Sequence, residues 1–354
     1  MAGKVTLKDI AREVGLSPTA VSLVLNDRPC RVSEENRRKI KEVARRKHYI
    51  PNQIARSLVT QRSQTIGLVV PNIESRFFSS LARRLERGCR ERGYALLITN
   101  SDDSPGTDAE LVRLFANRGA DGLLVVAADE PGSNGALADA LSQLTVPFVL
   151  VDRLIDDLDC DKVAFNNEYG GYLACRHLLS AGHRRIACVV NTSSNTGARR
   201  LQGYKRALSE YGIDLDERLV LESAYYIADA YAAAGDLVTT DATAVFASSD
   251  NIALGLLKRL YEVGLRVPRD YSVVSYDNSA ADVLFEPALT SIEQNVDELA
   301  DAALELLFRR LDEDGSEKPV PFERRVLTPR LVVKDSVRAA VAPSFSSSAC
   351  VPTA

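Results

Sequence analysis

Hydrophobic residues in the long C-terminal part of the chain fall into short runs separated by amphipathic stretches. From Ile66 onward, the runs IGLVVP, YALLIT, DGLLVVA and PFVLV alternate with helical patterns over 77–92, 108–118 and 136–144. Short all-apolar strands that alternate with helices are typical of a parallel sheet covered on both faces. This pattern predicts an α/β lobe.

The alternation begins again after Lys162. The runs KVAF, RIACVV, TAVFAS and YSVVSYD follow, with helices predicted from Glu168, Arg200 and Asn251. We therefore expect two similar lobes, one after the other along the chain. Ligands of such sheets bind beyond the carboxyl ends of the strands, so the cleft between the lobes is the expected binding site.

The first fifty residues follow a helical period instead. Thr6 precedes an apolar-periodic run and has Asp9 three residues later, which resembles a capping box, and Gly15 provides a left-handed stop. Ser17 then caps a second helix that has Pro18 at its first position. Two short helices joined by a glycine-containing turn predict a helix-turn-helix, whose second helix fits the major groove of DNA.

The second and third helices complete a small core. Val21, Val24 and Leu25 take the inward positions of the second helix. Ser33 caps a third helix, from Glu34 to about Lys47, whose other face is rich in arginine and lysine and suits phosphate contacts. The residues of the second helix predicted to face outward are Thr19, Ala20, Ser22 and Leu23.

Charge is distributed unevenly along the 354 residues, a length that favours two or three domains. Residues 1–62 hold 14 Lys+Arg against 6 Asp+Glu, whereas the whole chain has a formal charge of −4. A basic N-terminal part on an acidic body indicates that this part meets a polyanion, although a merely solvated basic face would have the same composition.

Cysteine and histidine usage does not indicate a metal site. The six cysteines form no C-x-x-C pair and the three histidines no ligand cluster, so we expect reduced, mostly buried thiols and no cofactor. The polar N-terminus lacks a signal-type apolar core, and no apolar run is long enough to span a bilayer. We expect a cytoplasmic protein that does not enter a membrane.

Residues 49–63 contain a short helical stretch after Pro51 and a polar linker. A helix of barely two turns is marginal in water, so we expect a partner to order it. At this point the sequence resembles the lactose-repressor (LacI/GalR) family of bacterial transcriptional regulators, from about Val5 to about Val333. The resemblance implies a hinge helix that pairs with its two-fold mate in the minor groove, where Leu58 wedges a base step open. Alternatively, Leu58 packs against the body as part of the linker.

The resemblance in the body rests on several short stretches that occur together in the family's order. Each is weak alone, and their joint occurrence is specific. It implies a body similar to periplasmic sugar-binding proteins. The stretches are Pro71-Asn72-Ile73 leading to Phe77-Phe78, Val151-Asp152-Arg153, Gly170-Gly171, Ala181-Gly182-His183-Arg184-Arg185-Ile186, Arg200 with Gly203-Tyr204, Val267-Pro268 with Asp270, and Ser275-Tyr276-Asp277.

The family's binding positions transfer to this sequence residue by residue. The implied DNA-contacting residues are Thr6, Ser17, Pro18, Thr19, Ser22, Leu23, Asn26, Tyr49, Asn52, Ala55 and Leu58. The implied effector-binding residues are Phe77, Phe78, Asp152, Phe165, Asn166, Thr196, Arg200, Tyr225, Ser249 and Asp277.

Chemistry supports some of these assignments more than others. The planar guanidinium of Arg200 can bind two adjacent hydroxyls or a carboxylate, and Asp277 can accept hydrogen bonds from hydroxyls or ring N–H groups. Alternatives remain for three positions. Asp277 and Asp152 could cap a helix or pair with Arg153, and one of the two phenylalanines, Phe77 or Phe78, could be plain helix core.

Three departures from the family pattern leave the ligands open. Ser249 precedes Asp250 where an Asn-Asp pair is usual, and Asn166-Asn167 stands where Asp-Asn is common. Both changes remove a side-chain option, so a sugar and a purine-like effector remain possible. Leu23 stands where the family often has a polar or basic base reader, and leucine can at best contact a thymine methyl.

The predicted organisation is an all-α helix-turn-helix head over residues 1–48, a hinge helix and linker over 49–63, a two-lobed α/β effector-binding and dimerisation domain over 64–338, and a disordered tail over 339–354. The predicted function is a repressor that binds a palindromic operator as a homodimer under control of a sugar or related metabolite. A purine-type corepressor is the alternative, and the sequence does not decide between inducer and corepressor. The rival interpretation, a solute-binding protein or an enzyme on the same body, lacks any G-x-G-x-x-G, G-x-S-x-G or phosphate-loop pattern.

Overall fold

A computed structural model describes residues 5–27, 29–49, 62–129, 134–279, 286–313 and 320–340. The chain divides into two compact units, residues 1–63 and 64–354, which we call the head and the body. Among the described residues, none of the helices combines the length and the apolar composition that a membrane crossing requires.

The head is a three-helix unit with its own apolar core. Asp9 accepts hydrogen bonds from the Thr6 N–H at 2.9 Å and the Thr6 hydroxyl at 2.7 Å, and Gly15 ends the first helix at φ 71°. The Ser17 hydroxyl accepts from the Ala20 N–H at 3.1 Å, as expected for a cap. Fully buried core residues include Ile10, Val21, Val24 and Ile40. The helices are α1 (Leu7–Val14), α2 (Pro18–Leu25) and α3 (Glu34–Arg46).

The first lobe of the body is an entirely parallel sheet of six strands, in the order β11-β5-β4-β3-β1-β2. Helices cover both faces, as the all-apolar strands predict. The strands are β1 (Thr65–Val70), β2 (Ala95–Asn100), β3 (Gly122–Val125), β4 (Phe148–Val151), β5 (Asp161–Phe165) and β11 (Arg324–Leu327). The helices are α4 (Arg76–Glu91), α5 (Pro105–Asn117), α6 (Gly135–Ser142) and α11 (Val296–Asp312).

The second lobe repeats this plan with the order β12-β10-β9-β8-β6-β7. All its pairs are parallel except the edge pair of β10 and β12. The strands are β6 (Ile186–Val190), β7 (Val220–Glu222), β8 (Ala244–Ala247), β9 (Ser272–Asp277), β10 (Thr290–Glu293) and β12 (Arg330–Val332). The helices are α7 (Asn167–Ser180), α8 (Asn195–Glu210), α9 (Ile227–Leu237) and α10 (Asp250–Glu262), with a 3₁₀ turn at Glu217–Leu219.

The two lobes are interleaved in sequence, which corrects the expectation that one simply follows the other. The run KVAF belongs to β5, which pairs with β4 and β11 of the first lobe instead of opening the second. Helix α11 packs on the first lobe although it follows β10 of the second. The chain therefore crosses between the lobes three times, after β5, after β10 and after β11.

The last described residues run along the second lobe. The Ala340 N–H donates to the Ala181 carbonyl at 2.8 Å, two residues past the predicted end of the body. His183, which is buried, lies 3.1 Å from the Arg338 carbonyl through Nε2. The rest of the predicted tail, 341–354, lies outside the described residues.

The described cysteines are free thiols. Cys89, Cys160, Cys175 and Cys188 are buried and Cys30 is partly buried. Burial raises the pKa of the Cys89 and Cys160 thiols to about 11, so both stay protonated at neutral pH. Cys350 lies outside the described residues.

Candidate functional site

The outer surface of α2 is the part of the head that the sequence assigns to DNA. Ser17, Pro18 and Thr19 are exposed, and Ser22 and Leu23 are half-buried. Burial of Val21 and Val24 fixes this side of the helix toward the outside of the head. A row of small side chains at the start of a second helix suits close approach to base edges.

The remaining predicted DNA residues fall into three groups. Thr6 is exposed at the start of α1. The Asn26 amide donates to the Ser22 carbonyl at 2.8 Å, and Tyr49 packs against the head core. Asn52, Ala55 and Leu58 lie outside the described residues.

Several basic residues of α3 act within the head. Arg37 donates to the Cys30 carbonyl at 3.1 Å and to the Val32 carbonyl at 3.3 Å, and Lys41 pairs with Asp27 at 2.7 Å. Arg46 and Lys47 near the end of the helix both pair with Glu13 of α1. Arg38, Lys39 and Arg45 are exposed and form the part of the basic face that remains suited to phosphate.

In the body, strand ends of both sheets converge on one cavity of about 50 Å³ between the lobes. As it stands, the cavity has room for a few water molecules. Eight of the residues predicted to bind an effector line it, namely Phe77, Phe78, Asp152, Thr196, Arg200, Tyr225, Ser249 and Asp277.

Arg200 is fixed by the second lobe. Its Nε donates to the Asn167 side chain at 2.8 Å, and one terminal nitrogen donates to the Ser248 carbonyl at 2.5 Å. The guanidinium lies 3.7 Å from the centre of the Tyr276 ring, and its other terminal nitrogen is 3.9 Å from Asp277. Only about 4% of the residue is exposed, and these contacts fix the orientation of the guanidinium at the cavity wall.

Two close contacts between α7 and α8 fix the position of Arg200 on α8. A Cβ added to Gly203 would lie 1.9 Å from the Glu168 carbonyl oxygen, and one added to Gly171 would lie 2.0 Å from the Arg200 carbonyl oxygen. Helices α7 and α8 therefore approach each other backbone to backbone. Only glycine permits this approach at either position.

Asp277 stands beside Arg200 at the end of β9. Its carboxylate accepts from the Gln294 amide at 3.0 Å and from the Asp250 N–H at 3.4 Å. Burial raises the pKa of Asp277 to about 7 despite the nearby arginine. The group can thus accept or donate a hydrogen bond near neutral pH, and its φ of 88° is unusual for a residue other than glycine.

The first lobe contributes a second Asp-Arg pair, of which sequence reasoning assigned only the aspartate to the site. Asp152 follows β4 with φ 66°, and its Oδ1 is buried with no hydrogen-bond partner among the described residues. Burial also raises the pKa of Asp152. Arg153, considered from the sequence only as a structural partner, lines the cavity and pairs with Asp103 at 2.7 Å. The Val151-Asp152-Arg153 stretch carried this signal, because a charged pair directly follows a buried strand.

Aromatic side chains form the apolar walls. Phe77 and Phe78 are both buried, pack edge to face at 5.3 Å, and also belong to the first-lobe core. The Arg153 guanidinium lies 5.2 Å from the Phe78 ring centre and 5.8 Å from that of Tyr225. Both phenylalanines line the cavity, so neither is helix core alone.

The polar groups of Ser249 and Thr196 already form hydrogen bonds within the protein. The Ser249 hydroxyl caps α10 by accepting from the Ile252 N–H at 3.2 Å. The Thr196 N–H donates to Asp129 of the first lobe at 3.1 Å, and its hydroxyl bonds to the same carboxylate. Sequence reasoning missed Asp129, which directly follows the apolar run of β3.

Phe165 and Asn166 line a neighbouring cavity of about 260 Å³. Asp152 and Thr196 belong to the walls of both cavities, and Arg199 is found only in the second. Phe165 and Asn166 stand where the chain leaves β5, and the Asn166 side chain caps α7 by accepting from the Tyr169 N–H at 3.0 Å. Their assignment to the effector site stays a prediction, since the two cavities share Asp152 and Thr196.

Residues 6–52 match the bacterial regulatory proteins of the lacI family, and residues 175–337 match the periplasmic binding protein-like domain. The chain is 34% identical over 336 residues to an HTH-type transcriptional repressor PurR of Vibrio atlanticus, a match that covers 94% of this chain and 98% of the relative. The corresponding protein of Mannheimia succiniciproducens is 32% identical with the same coverage.

Solved structures agree. A complex of the transcriptional regulator CelR with cellobiose is 28% identical with a TM-score of 0.69, and covers 94% of this chain and 99% of its own. A lac repressor dimer bound to operator and an anti-inducer has a TM-score of 0.83 at 24% identity, with 95% of this chain and 100% of its own covered, and shows the shared fold.

The chain belongs to the lacI family of bacterial regulatory proteins. It is a DNA-binding transcriptional repressor with an effector-binding body, and not an enzyme, as the sequence predicted.

Proposed function

We propose that this repressor acts as a homodimer on a pseudo-palindromic operator and that a neutral, polyhydroxylated small molecule bound between Arg200, Asp277 and Asp152 controls it. The observation that carries the proposal is the convergence of these three side chains on one cavity with aromatic walls. A ring bearing several hydroxyls needs both donors and acceptors directed at it, together with an apolar face.

The charges of the cavity favour a neutral ligand rich in hydrogen-bond donors. Its lining includes four aspartates, Asp103, Asp152, Asp250 and Asp277, and three arginines, the exposed Arg76 and the buried Arg153 and Arg200. An added carboxylate or phosphate would face this excess of acceptors at short range. Hydroxyl groups would instead donate to the carboxylates and accept from the guanidinium groups.

A purine-like ligand is the second candidate. Tyr225 offers an aromatic ring at the cavity wall, and two relatives that match nearly the full length are repressors named PurR. Asp277 could accept from a ring N–H of such a base.

Dimer formation is supported by the exposed edge of the first lobe. Strand β2 is at the end of its sheet, and Leu97 and Ile98 on it are 44% and 43% exposed. An uncovered edge strand with large apolar side chains is a site for association. Two heads would then present their α2 helices to two half-sites of one duplex.

The test is selection of bound duplexes from a random DNA pool by the full-length protein, without additives, with a panel of neutral sugars, and with purine bases. We expect a palindrome whose recovery changes with one sugar. Recovery lost on addition identifies an inducer, and recovery gained identifies a corepressor. A change with purines alone would replace the sugar by the second candidate, and an asymmetric site would contradict the dimer.

Effector binding is then measured by thermal shift, because the chain contains no tryptophan to report on it by fluorescence. A Leu58→Gly variant tests the hinge separately. It should weaken specific operator binding and leave the salt-dependent nonspecific binding nearly intact. Equal loss of both would contradict the wedge role.

A further inference from the structure

A carboxylate of the first lobe binds the end of a helix of the second. Asp129 accepts from the Asn195 N–H through Oδ1 at 3.0 Å and from the Thr196 N–H through Oδ2 at 3.1 Å. The Thr196 hydroxyl donates to the same Oδ2. Asn195 and Thr196 are the first two residues of α8, whose N–H groups have no partner within the helix.

The contact between the Asp129 carboxylate and the N-terminus of α8 is strong because it combines a charge with free N–H groups. A negative charge at a helix N-terminus meets both the free N–H groups and the positive end of the helix dipole. Asp129 is only 7% exposed, so water competes poorly for these bonds. Charge-assisted hydrogen bonds of this kind are stronger than neutral ones.

The first lobe holds Asp129 in position. The Asp108 carboxylate accepts from the Ala128 N–H at 2.6 Å, and the Asp103 carboxylate accepts from the Asp129 N–H at 3.3 Å. Arg153 donates to Asp103 at 2.7 Å and places its Nε 3.9 Å from Asp129. The segment after β3 is therefore anchored from two sides before it reaches the second lobe.

The second lobe holds the receiving helix end in the same way. The Ser194 hydroxyl caps α8 by accepting from the Gly197 N–H at 2.8 Å, and it lies 2.9 Å from the Tyr225 hydroxyl. Tyr225 lies 3.2 Å from the Thr196 hydroxyl and also lines the effector cavity. Tyr225 contacts Thr196 directly, and Arg200 is on the same helix, α8, as Thr196. A molecule that moves either residue therefore acts on the Asp129 contact.

We propose that Asp129 and the Asn195 and Thr196 N–H groups form a latch that joins the two lobes in the shut cleft without the help of an effector. Asp129 is then a positioning residue that sets the equilibrium between the shut and open cleft. The effector works with or against this built-in preference. The latch does not depend on the effector's identity, so it can fail while the proposed function stands.

The test is hydrogen exchange of the full-length protein followed by mass spectrometry. The segments to follow are 72–78 and 249–252, on opposite walls of the cleft, with β6 (186–190) as a measure of intact folding. Asp129→Ala should accelerate exchange in both cleft segments by about tenfold or more and leave β6 unchanged. Asp129→Asn, which keeps one acceptor oxygen, should give a smaller acceleration. If the alanine variant does not fold, the exchange rates of this second variant are the test.

The matched control is Asp156→Ala. Asp156 of the first lobe also reaches α8, through Arg199 at 2.8 Å, but the two side chains are 48% and 49% exposed, so this pair should matter little. Equal acceleration in the Asp129 and Asp156 variants would overturn the latch, because loss of any acidic side chain would then suffice. Unchanged exchange in both Asp129 variants would overturn it as well.

Discussion

The two lobes share one strand plan, and their candidate effector-binding aspartates occupy matching positions in it. β4 and β9 are each third in their sheets, and each leads into an aspartate with positive φ, Asp152 at 66° and Asp277 at 88°. Yet Asp277 is bonded to Gln294 and to the Asp250 N–H, whereas Asp152 Oδ1 has no partner among the described residues.

This difference shows that the position of each aspartate is set by the repeated fold, whereas its hydrogen bonding is set by its own lobe. The repeated fold delivers a strained carboxylate to each wall of the cleft. The second lobe then surrounds the Asp277 carboxylate with its own hydrogen-bond donors. Together with Arg200 it forms one side of the candidate effector site, whose polar groups are already bonded within the lobe. The first lobe leaves an acceptor whose bonding a ligand hydroxyl can complete. The predictions below test this division.

The largest effect is expected from Arg200→Lys. Lysine keeps the charge but cannot donate to both the Asn167 side chain and the Ser248 carbonyl, so the arrangement of polar groups on this side of the cavity should be lost. We expect a fall in the free energy of unfolding of about 3–5 kcal/mol and loss of the effector response, with operator affinity nearly unchanged. Urea unfolding and operator titration measure these quantities. Arg199→Lys, on the same helix but exposed, is the control. A normal effector response in Arg200→Lys would mean that Arg200 does not bind the effector.

A pH dependence is expected from Asp277. Between its ordinary pKa of 3.8 and its folded-state pKa of about 7, the unfolded chain has lost the proton that the folded chain keeps. The free energy of unfolding should therefore fall as pH rises through this window, by about 2–4 kcal/mol.

Subtracting the pH profile of an Asp277→Asn variant isolates this contribution from that of other titrating groups. The difference should be small near pH 4 and level off above pH 7, with the variant the more stable at high pH. Parallel profiles would mean that Asp277 titrates normally.

Asp152→Asn should raise stability while it weakens effector binding. It removes a buried carboxylate whose Oδ1 has no partner among the described residues, which should add about 1–3 kcal/mol to the free energy of unfolding. Effector affinity should fall by roughly tenfold. Thermal shift with and without effector reads both effects, and the exposed Asp156→Asn should show neither. A destabilised variant would indicate that Asp152 is bonded as fully as Asp277.

The smallest effect is expected from Phe78→Leu. Leucine fills most of the volume but removes the ring beneath the Arg153 guanidinium, which is worth about 0.5–1 kcal/mol or a few-fold in effector affinity. Phe77→Leu is the comparison. Equal losses in the two variants would show that the contact with Arg153 contributes nothing beyond ring volume.

Local signals made the head predictable. Thr6 with Asp9, Gly15, and Ser17 with Pro18 act within a few residues, and each occurs in the structure as the sequence indicated. The alternating runs likewise predicted two sheets, which are parallel apart from one edge pair, whereas the residues of the cavity were assigned from the family resemblance. An apolar run does not encode the sheet that it joins, so β5 was assigned to the wrong lobe.

Long-range pairings were the other part that the sequence could not supply. Asp129 and Thr196 are 67 positions apart, and nothing near either residue indicates the other. Neither the hydrogen bonds of Thr196 nor the position of Phe165 and Asn166 on a neighbouring cavity follows from local patterns. The bonding of a polar side chain depends on which elements the fold brings together.

The triple crossing between the lobes has a consequence for synthesis on the ribosome. The first lobe depends on α11 (Val296–Asp312) for its core and on β11 (Arg324–Leu327) for its sheet edge. Its apolar face therefore stays uncovered while the whole second lobe is being made, although chains generally fold from the N-terminal end as they emerge. The nascent chain consequently carries an unfinished first lobe until Leu327 has been made, and a product stalled or truncated before that point would expose that face to chaperones and proteases.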